Sequence, residues 1–274
     1  MRSLAPSALI LLIAAAVAPE RPSAEARAPR LALIIDDFGY SHGATAKAFL
    51  ELDVDLTISV LPGEAYSRRL AKEIRAAGKE LLLHLPMEPL EYPEKDPGPR
   101  AVFVGQTDEE VRSCVRQALG SFEGLDGVNN HMGSRAMQDE RIVRIVLEEV
   151  KGRGLLFLDS KTVSGRVART ISREIGATCL ENDLFWDTGY DAPEEIRDKL
   201  DRLAETARRR GYAIGIGHPR AVTLEALQEK IPEWQESGIR LVSITELAGG
   251  SAGGARAKIA PTPEETEDAA IPMR

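Results

Sequence analysis

The sequence predicts an α/β fold built on a parallel β-sheet. Short apolar runs, of the kind found in strands buried on both faces, recur along the chain with helical patterns between most of them. Such alternation is typical of parallel sheets, because consecutive parallel strands need a crossover connection. Seven or eight such units favour a barrel, and a doubly wound open sheet is the alternative. The glycine-rich phosphate-binding patterns of nucleotide folds are absent from the sequence.

The elements follow in order from the apolar run 31–35, which predicts the first strand. The later apolar runs end at Val60, Leu83, Val128, Leu158, Leu180, Gly217 and Ser243. The clearest helix covers 107–123, where Thr107 and Glu110 form a capping box and apolar residues recur at helical spacing. The other predicted helices cover 64–77, 139–151, 193–210 and 223–237.

The two ends of the 274-residue chain lie outside the predicted domain. Residues 1–26 resemble a secretory signal peptide, with an apolar stretch over 8–18 and a small-x-small cleavage pattern at 24–26. The apolar stretch is short for a membrane span, so we expect no stable span after cleavage, with an uncleaved anchor as the alternative. The composition of residues 248–274, which are rich in glycine, proline and glutamate, predicts a disordered tail. One domain over 30–247 remains, in an exported protein that is periplasmic or extracellular.

Charge and cysteine content narrow the possible functions. The net charge of −8, with no basic stripe, argues against nucleic acid as a partner. The two cysteines, Cys114 and Cys179, could pair in an exported protein. Cys114 lies on the apolar face of the predicted helix 107–123, which favours buried thiols over a disulfide.

Reactive side chains gather at the carboxyl ends of the predicted strands. Asp36 and Asp37 directly follow the first strand, where two adjacent carboxylates are costly unless a metal ion or a transferable proton pairs with them. A helix cap or a turn is the ordinary alternative. The other reactive residues at predicted strand ends are His84, His131, Asp159, Asp183 and His218. In a barrel these ends converge on one face, whereas His42 is expected to be an exposed loop residue.

This set of residue types suits metal-assisted hydrolysis. Two imidazoles and a carboxylate, with an open position for water, form a common catalytic site for zinc or a similar metal. Such a metal lowers the pKa of its water and polarises a carbonyl group. A remaining carboxylate could take the proton of the water, and a further histidine could donate one to the leaving group.

Five segments of the chain resemble the divergent polysaccharide deacetylases, which belong with the NodB-like carbohydrate esterases. The segments are 34–39 (IIDDFG), 83–89 (LHLPMEP), 129–135 (NNHMGSR), 157–160 (FLDS) and 217–219 (GHP). The similarity runs in order through about 30–247. It implies a distorted (β/α) barrel of about seven parallel strands. It also implies removal of N- or O-acetyl groups from sugars with a divalent metal, for which zinc is expected.

The resemblance also implies roles for individual residues. Asp36 becomes the catalytic base, Asp37 a metal ligand, and His218 the general acid. The better-known relatives take both metal histidines from one His-x-x-x-His motif, but here Glu88 stands where the second histidine would be. The second imidazole must come from elsewhere, and we assign this role to His131. The predicted metal ligands are therefore Asp37, His84 and His131. The alternative is that His218 binds the metal and His131 is the acid.

Other residues have less certain roles at this stage. Asp159 is a ligand, a partner that orients a histidine, or a structural cap. Asn130 and Arg135 are candidates for substrate binding, against the ordinary interpretation that they make loop hydrogen bonds. Trp186 and Tyr190 are candidate platforms for a sugar ring. Aromatic residues make up 5% of the chain, so a long polysaccharide groove lined with rings is not indicated.

Three functions follow from these patterns. The leading prediction is a metal-dependent hydrolase that removes acetyl groups from an envelope polysaccharide, glycan or peptidoglycan fragment. The second is a weak or inactive barrel that binds peptidoglycan or regulates a cell-wall hydrolase. The third keeps the metal but acts on another amide or ester. Metal content separates the second from the other two.

Overall fold

The computed structural model describes residues 28–98, 100–189 and 191–249, and a parallel sheet of nine strands organises this part of the chain. The strands are β1 Arg30–Phe38, β2 Thr57–Val60, β3 Glu80–Met87, β4 Gly127–Met132, β5 Leu156–Asp159, β6 Cys179–Glu181, β7 Leu184–Phe185, β8 Tyr212–Gly217 and β9 Arg240–Leu241. Their order across the sheet is β6-β5-β4-β3-β2-β1-β8-β7, and β9 pairs with the start of β1. Every paired strand runs parallel to its neighbour, as predicted.

The sheet curls until its two ends meet in one short segment. β6 and β7 are the end strands of the sheet, yet Asn182 and Asp183 alone separate them in sequence. The Asn182 N–H donates to the carbonyl of Asp159 in β5 at 2.9 Å, and the Asp183 N–H donates to the carbonyl of Ile214 in β8 at 2.9 Å. The segment 179–185 therefore fills one position of the ring with two short strands. The predicted distorted barrel of about seven strands is confirmed, and the open sheet is not formed.

Most helices lie on the outer side of the curled sheet, and the short last helix lies at the amino-terminal end of the barrel. They are α1 Ala44–Glu51, α2 Ser67–Ala76, α3 Asp108–Leu119, α4 Glu140–Gly152, α5 Val167–Ile175, α6 Pro193–Arg210, α7 Ala221–Glu236 and α8 Ile244–Leu247, with a 3₁₀ turn at Ala136–Gln138. The helices α2, α3, α4, α6 and α7 match the predicted ones within a few residues. The predicted capping box of Thr107 and Glu110 starts α3. The helices α1, α5 and α8 have four to nine residues each and were not predicted from the sequence.

Alternate residues of each strand face two different apolar cores. In β1, Leu33 and Ile35 pack in the large cluster that contains the buried faces of the helices. Ala32 and Ile34 pack in a smaller cluster inside the barrel. The other members of this inner cluster are Leu82, Leu156, Leu158, Ile214, Ile216, Val242 and Ile244. Because strand side chains alternate between faces, Asp36 continues the inner row at the carboxyl end of β1.

A half-buried carboxylate closes the amino-terminal end of the barrel. Glu80, at the start of β3, accepts hydrogen bonds from Thr57 Oγ1 at 3.0 Å and from the backbone N–H of Ile244 at 2.8 Å. It also accepts from the Thr245 side chain. Burial raises the pKa of Glu80, and the hydrogen bonds from Thr245 and Thr57 only partly oppose this. Glu80 therefore attaches the short helix α8 to the strands above it.

The two cysteines are free thiols in the structure, each half-buried. Burial raises the pKa of the Cys179 thiol to about 12 and also raises the pKa of Cys114. Both side chains are therefore protonated and unreactive near neutral pH. This agrees with the prediction of buried thiols over a disulfide.

The predicted signal peptide 1–26 and the predicted tail from residue 250 onward lie outside the described residues. Within the part of the chain that the structure describes, no helix has the length and apolar character needed to cross a membrane.

Candidate metal centre and active site

The inner rows of the barrel end in polar side chains at one mouth. His84 lies two residues beyond Leu82 of the inner cluster, and His218 lies two residues beyond Ile216. The strand alternation that buries apolar residues lower in the barrel therefore directs both imidazoles inward. The sequence prediction that strand-end residues meet at one face holds for these histidines and for Asp36.

Asp37, His84 and His131 bring three donor atoms together from β1, β3 and β4. Asp37 Oδ1 lies 3.2 Å from His84 Nε2 and 3.0 Å from His131 Nδ1. The two imidazole nitrogens are 3.1 Å apart. These three residues form the candidate metal-binding group within the described residues, and they are the three ligands predicted from the sequence.

Asp37 reaches this cluster through an unusual backbone conformation. Alternation from Asp36 would direct its side chain outward. Instead its φ is 59°, and the pairing of β1 with β2 slips between Ile35 and Phe38. Aspartate tolerates the left-handed region better than most residues, but the conformation still costs free energy and is concentrated at functional sites. The strained turn thus presents both adjacent carboxylates to the same mouth.

The donor set fits a divalent cation. Asp37 Oδ1 is buried and has no well-formed hydrogen bond to any described residue, which is costly for a carboxylate oxygen. Ligands bound tetrahedrally at about 2.1 Å lie about 3.4 Å from one another, close to the separations seen here. Burial by itself would raise the pKa of Asp37, but contacts with His131 and His84 and their charges outweigh it and hold the pKa well below its usual range. Asp37 therefore stays ionised, as a ligand must.

Asp36 lies beside the donor cluster with a separate set of contacts. Its Oδ1 accepts a hydrogen bond from Asn129 Nδ2 at 2.8 Å, and its Oδ2 lies 3.6 Å from His84 Nε2. The side chain is 2% exposed. Burial raises the pKa of Asp36, although the charges of His84 and His218 partly oppose this. A carboxylate of raised pKa is better suited to accept a proton than an ordinary one.

His218 is held by a carboxylate that the sequence analysis missed. Its Nδ1 lies 2.5 Å from Asp187 Oδ1, and its backbone N–H donates to Asp187 Oδ2 at 2.9 Å. Thr223 Oγ1 donates to the same carboxylate. The other ring nitrogen, Nε2, lies 3.8 Å from Asp37 Oδ2, on the side of the donor cluster. Burial lowers the pKa of His218, but the hydrogen bond and charge of Asp187 outweigh it and raise the pKa above its ordinary value.

Asn129 is the second residue that the sequence analysis missed. It lies on the inner face of β4, beside His84 in the pairing with β3, and is fully buried. Its amide contacts both Asp36 and His84 and so joins Asp36 to the donor cluster. The alternation of β4 offered a signal for this residue, because outward-facing Val128 places Asn129, and not Asn130, inside the barrel.

Asn130 and Arg135, predicted as substrate-binding candidates, make structural contacts. Asn130 Nδ2 donates to the carbonyl of Met132 at 2.8 Å, and its Oδ1 accepts from the Ser160 N–H at 2.9 Å. Arg135 Nη1 binds Glu88 Oε1 at 2.9 Å. Glu88 is buried by this pairing and does not join the donor cluster. The loop hydrogen bonds that were the ordinary alternative are therefore present for both candidates.

Asp159 has the contacts of a structural cap, which was one of its three predicted roles. Its Oδ1 accepts from the backbone N–H of Lys161 at 2.8 Å, and its Oδ2 lies 4.0 Å from Lys161 Nζ. It is not part of the donor cluster. Its neighbour Phe157 packs in the outer core, so alternation directs Asp159 away from the interior.

We expect Asp159→Asn to remove a pH dependence of stability. Burial raises the pKa of Asp159, and Lys161 only partly opposes this. The folded protein therefore holds this proton at pH values where the unfolded carboxyl, with its ordinary pKa of 3.8, has lost it. The stabilising contribution is full below that pKa and is lost as the pH rises through the raised folded pKa. Urea unfolding across this range should show the wild type losing stability relative to the variant.

The asparagine amide still offers an oxygen to the Lys161 N–H, so the cap survives the substitution. Metal affinity should be the same in both proteins. If the free energy of unfolding changed with pH in the same way in the wild type and in Asp159→Asn, the assignment of Asp159 as a cap would be contradicted. Weaker metal binding by the variant would also contradict it.

The aromatic and loop predictions are corrected in part. Trp186 is fully buried and packs against Gly215 and Gly217, where any Cβ atom would overlap the indole, so it is not a sugar platform. Tyr190 lies outside the described residues.

The prediction that His42 is exposed is wrong: its side chain is 10% exposed, and its Nε2 lies 2.7 Å from Glu73 Oε2. The His42 side chain is covered because its ring also stacks on the ring of Tyr66.

The fold and the site together define an α/β-barrel protein with a candidate divalent-metal centre at the carboxyl ends of its strands. The chain belongs to the divergent polysaccharide deacetylase family, whose model matches residues 33–248. The resemblance inferred from five sequence segments is therefore confirmed.

Three relatives support the same placement. An uncharacterized protein of Haemophilus influenzae is 30% identical over 218 residues, which cover 80% of this chain and 76% of that protein. The uncharacterized protein YibQ of Escherichia coli is 30% identical over 205 residues, covering 74% of this chain and 63% of YibQ. The crystal structure of an uncharacterized protein from Agrobacterium tumefaciens has a TM-score of 0.76 at 27% identity, covering 83% of this chain and 92% of that one.

Proposed function

We propose that this protein is a metal-dependent hydrolase that removes an acetyl group from a glycan of the cell envelope. The observation that carries the proposal is the arrangement around Asp37. Two imidazoles complete a donor set for a divalent cation, a buried carboxylate lies on one side, and an imidazole held by its own carboxylate lies on another. These are the parts that hydrolysis of an amide or ester needs.

Asp37, His84 and His131 would hold the cation, and zinc suits their mixed nitrogen and oxygen donors. When bound, such a cation polarises the acetyl carbonyl group and lowers the pKa of a water molecule. The remaining chemistry belongs to the side chains around it. The same three residues were assigned as ligands on the sequence alone.

Asp36 would take the proton of the attacking water, because its carboxylate is buried beside the cluster and has a raised pKa. His218 would give a proton from Nε2 to the departing amine nitrogen or alkoxide oxygen. Its Nδ1 proton is held by Asp187, and its raised pKa keeps the ring protonated to higher pH. The proposed base lies in β1, and the proposed acid directly follows β8, the strand paired with β1.

We expect Asp187→Asn to lower kcat by about 10- to 100-fold and to move the alkaline limb of the pH profile to lower pH. The general acid must be protonated, so activity falls as the pH rises through the pKa of His218. Asp187 raises that pKa, and its removal leaves burial to lower it. Steady-state kinetics from pH 5 to 10 measure the shift. An alkaline limb that does not move would exclude His218 as the acid.

The exposed aromatic residues support a sugar substrate. Among the described residues, the exposed large hydrophobic side chains are Tyr40, Tyr66, Leu90 and Tyr92. All of them lie on the loops that follow β1, β2 and β3, at the mouth that contains the candidate site. The Tyr66 N–H donates to the Gly39 carbonyl at 3.0 Å, so the first two loops are in contact. Flat rings with hydroxyl groups suit the apolar faces of a short sugar chain.

We expect Tyr40→Ala to raise KM for an acetylated oligosaccharide by about tenfold, from the loss of one aromatic contact of about 1.4 kcal/mol. The side chain is 56% exposed, so folding should be unaffected. Hydrolysis of a small soluble acetyl ester, which cannot reach the rim, should be unchanged, and Tyr40→Phe should retain oligosaccharide binding. Equal losses on both substrates would contradict a sugar-binding role.

The function is tested with the full chain purified without chelator. We expect bound metal by elemental analysis and acetate release from an N-acetylated peptidoglycan fragment or chitooligosaccharide. Chelation should abolish the release and added zinc should restore it. A protein that binds no divalent metal, or that releases acetate regardless of chelation, would refute the proposal. The predicted signal peptide supports an exported location, which cell fractionation tests separately.

A further inference from the structure

The Asn129 side chain connects the candidate base to the candidate metal site. From β4 its amide contacts residues of β1, β2 and β3 and the segment after β5. We infer that Asn129 is a positioning residue: it selects the tautomer of His84 that can bind a metal, and it orients Asp36 toward that metal. This inference rests on the proposed function.

All hydrogen-bonding groups of the amide are used. Oδ1 accepts from Ser59 Oγ and from His84 Nδ1, the latter at 2.8 Å. Nδ2 donates to Asp36 Oδ1 at 2.8 Å and to Ser160 Oγ at 3.3 Å. A carboxylate only accepts hydrogen bonds, so the NH₂ group of the amide must face Asp36. That fixes the oxygen of the amide on the side of His84.

The orientation of the amide determines where His84 carries its proton. An amide oxygen cannot donate, so the proton of the neutral ring lies on Nδ1 and the lone pair lies on Nε2. Nε2 is the atom that faces Asp37 Oδ1 at 3.2 Å and His131 Nδ1 at 3.1 Å. A reversed amide would place the proton on Nε2 and remove one of the three donors. Hydrogen bonds of this kind behind metal-binding histidines set ring orientation and affinity.

The same amide also fixes the position of Asp36. With Oδ1 held by Asn129, the other oxygen, Oδ2, is left facing His84 Nε2 at 3.6 Å. The free oxygen of the base therefore lies next to the donor cluster. One uncharged residue thus aligns a metal ligand on β3 with a proton acceptor on β1.

Two substitutions separate these two effects. Asn129→Asp keeps an oxygen acceptor for His84 but replaces the donor to Asp36 with a repelling carboxylate. We expect unchanged or tighter zinc binding, with kcat lowered about 100-fold by misplacement of the base. Asn129→Leu removes both contacts, and we expect zinc affinity to fall about 10- to 100-fold as well. Zinc affinity is measured by competition with a chelating dye, on protein shown by circular dichroism to be folded.

The tautomer is read directly in the metal-free protein. Long-range ¹H–¹⁵N NMR of histidine-labelled protein distinguishes protonation at Nδ1 from protonation at Nε2. Burial lowers the pKa of His84, but the charges of Asp36 and Asp37 outweigh it and raise the pKa, so spectra are compared at a pH at which the ring is neutral in each protein. There we expect His84 to carry its proton on Nδ1 in the wild type and in Asn129→Asp, and to shift toward Nε2 in Asn129→Leu. A wild type that binds no zinc would refute the proposed function, whereas this measurement would still test Asn129.

Asn182 provides the matched control. It is also a buried asparagine, but its amide donates to the Ser160 carbonyl and accepts from the Leu184 N–H, with no contact to Asp36 or His84. Asn182→Asp and Asn182→Leu should leave the tautomer and zinc affinity of folded protein unchanged. Asn129→Leu with the wild-type tautomer and affinity would overturn the inference. Wild-type turnover in Asn129→Asp would show that Asn129 does not orient Asp36. Changes of equal size in the Asn182 variants would show that Asn129 acts only through packing.

Discussion

Asp36→Asn is expected to lower kcat by about 10³-fold or more while leaving zinc bound, because the substitution removes the proposed proton acceptor and keeps its shape. The amide oxygen can still accept the hydrogen bond that Asn129 now gives to Asp36 Oδ1. It cannot take a proton from water. Turnover is measured as acetate release by zinc-loaded protein, and zinc content is measured on the same sample.

Asp159→Asn is the matched control for this experiment, because it neutralises another buried strand-end aspartate outside the donor cluster. Its turnover should stay within about twofold of the wild type, as is usual for changes away from reacting atoms. If Asp36→Asn retained a tenth or more of wild-type kcat with zinc bound, Asp36 would not be the base.

Asp37→Asn is expected to weaken zinc binding by at least about 100-fold, since it removes the anionic ligand of the cluster. Asparagine tolerates the left-handed backbone conformation at this position, where φ is 59°, so the turn after β1 should persist. The thermal stability that zinc adds to the wild type should be largely lost in the variant. Differential scanning calorimetry with and without zinc, together with a binding titration, measures both effects.

His42→Ala is the control for metal binding. His42 contacts Glu73 and lies outside the donor cluster, so its removal should leave zinc affinity unchanged. If Asp37→Asn bound zinc as tightly as the wild type, the cluster described here would not be the metal site. Loss of zinc by His42→Ala would point instead to a zinc site that includes His42.

The ring of strands was predictable because most of the strands are apolar runs separated by helical patterns, and several of them are followed by a reactive residue. Alternation along those runs was a further signal that the sequence analysis did not use. It distinguishes Asn129, which faces the interior, from Asn130, which ties a loop, and it directs Asp159 outward. Val128 packs in the outer core, so its next residue, Asn129, faces the interior at the carboxyl end of β4.

Two features could not be predicted by such rules. β7 has two residues, too few for a recognisable apolar run, so the strand-end position of Asp187 was hidden. Asp37 breaks the alternation, because the turn at φ 59° brings two consecutive side chains to one side of the strand. Family resemblance suggested Asp37 as a candidate ligand, whereas periodicity would have directed its side chain outward. The short helix α1 buries only Ala46 and Phe49 and gives an equally weak pattern.

The hydrogen bond between Glu80 and Ile244 joins residues 164 positions apart, and Ile244 lies near the end of the described chain. A chain still emerging from the ribosome therefore lacks α8 until nearly all of the domain has been synthesised. Until then the Glu80 carboxylate has no Ile244 N–H to bind, and Ile244 is missing from the inner core. Contacts of such long range form late and slow the folding of a domain. The amino-terminal end of the barrel therefore forms only after the whole domain has been synthesised, because α8 comes last in the chain.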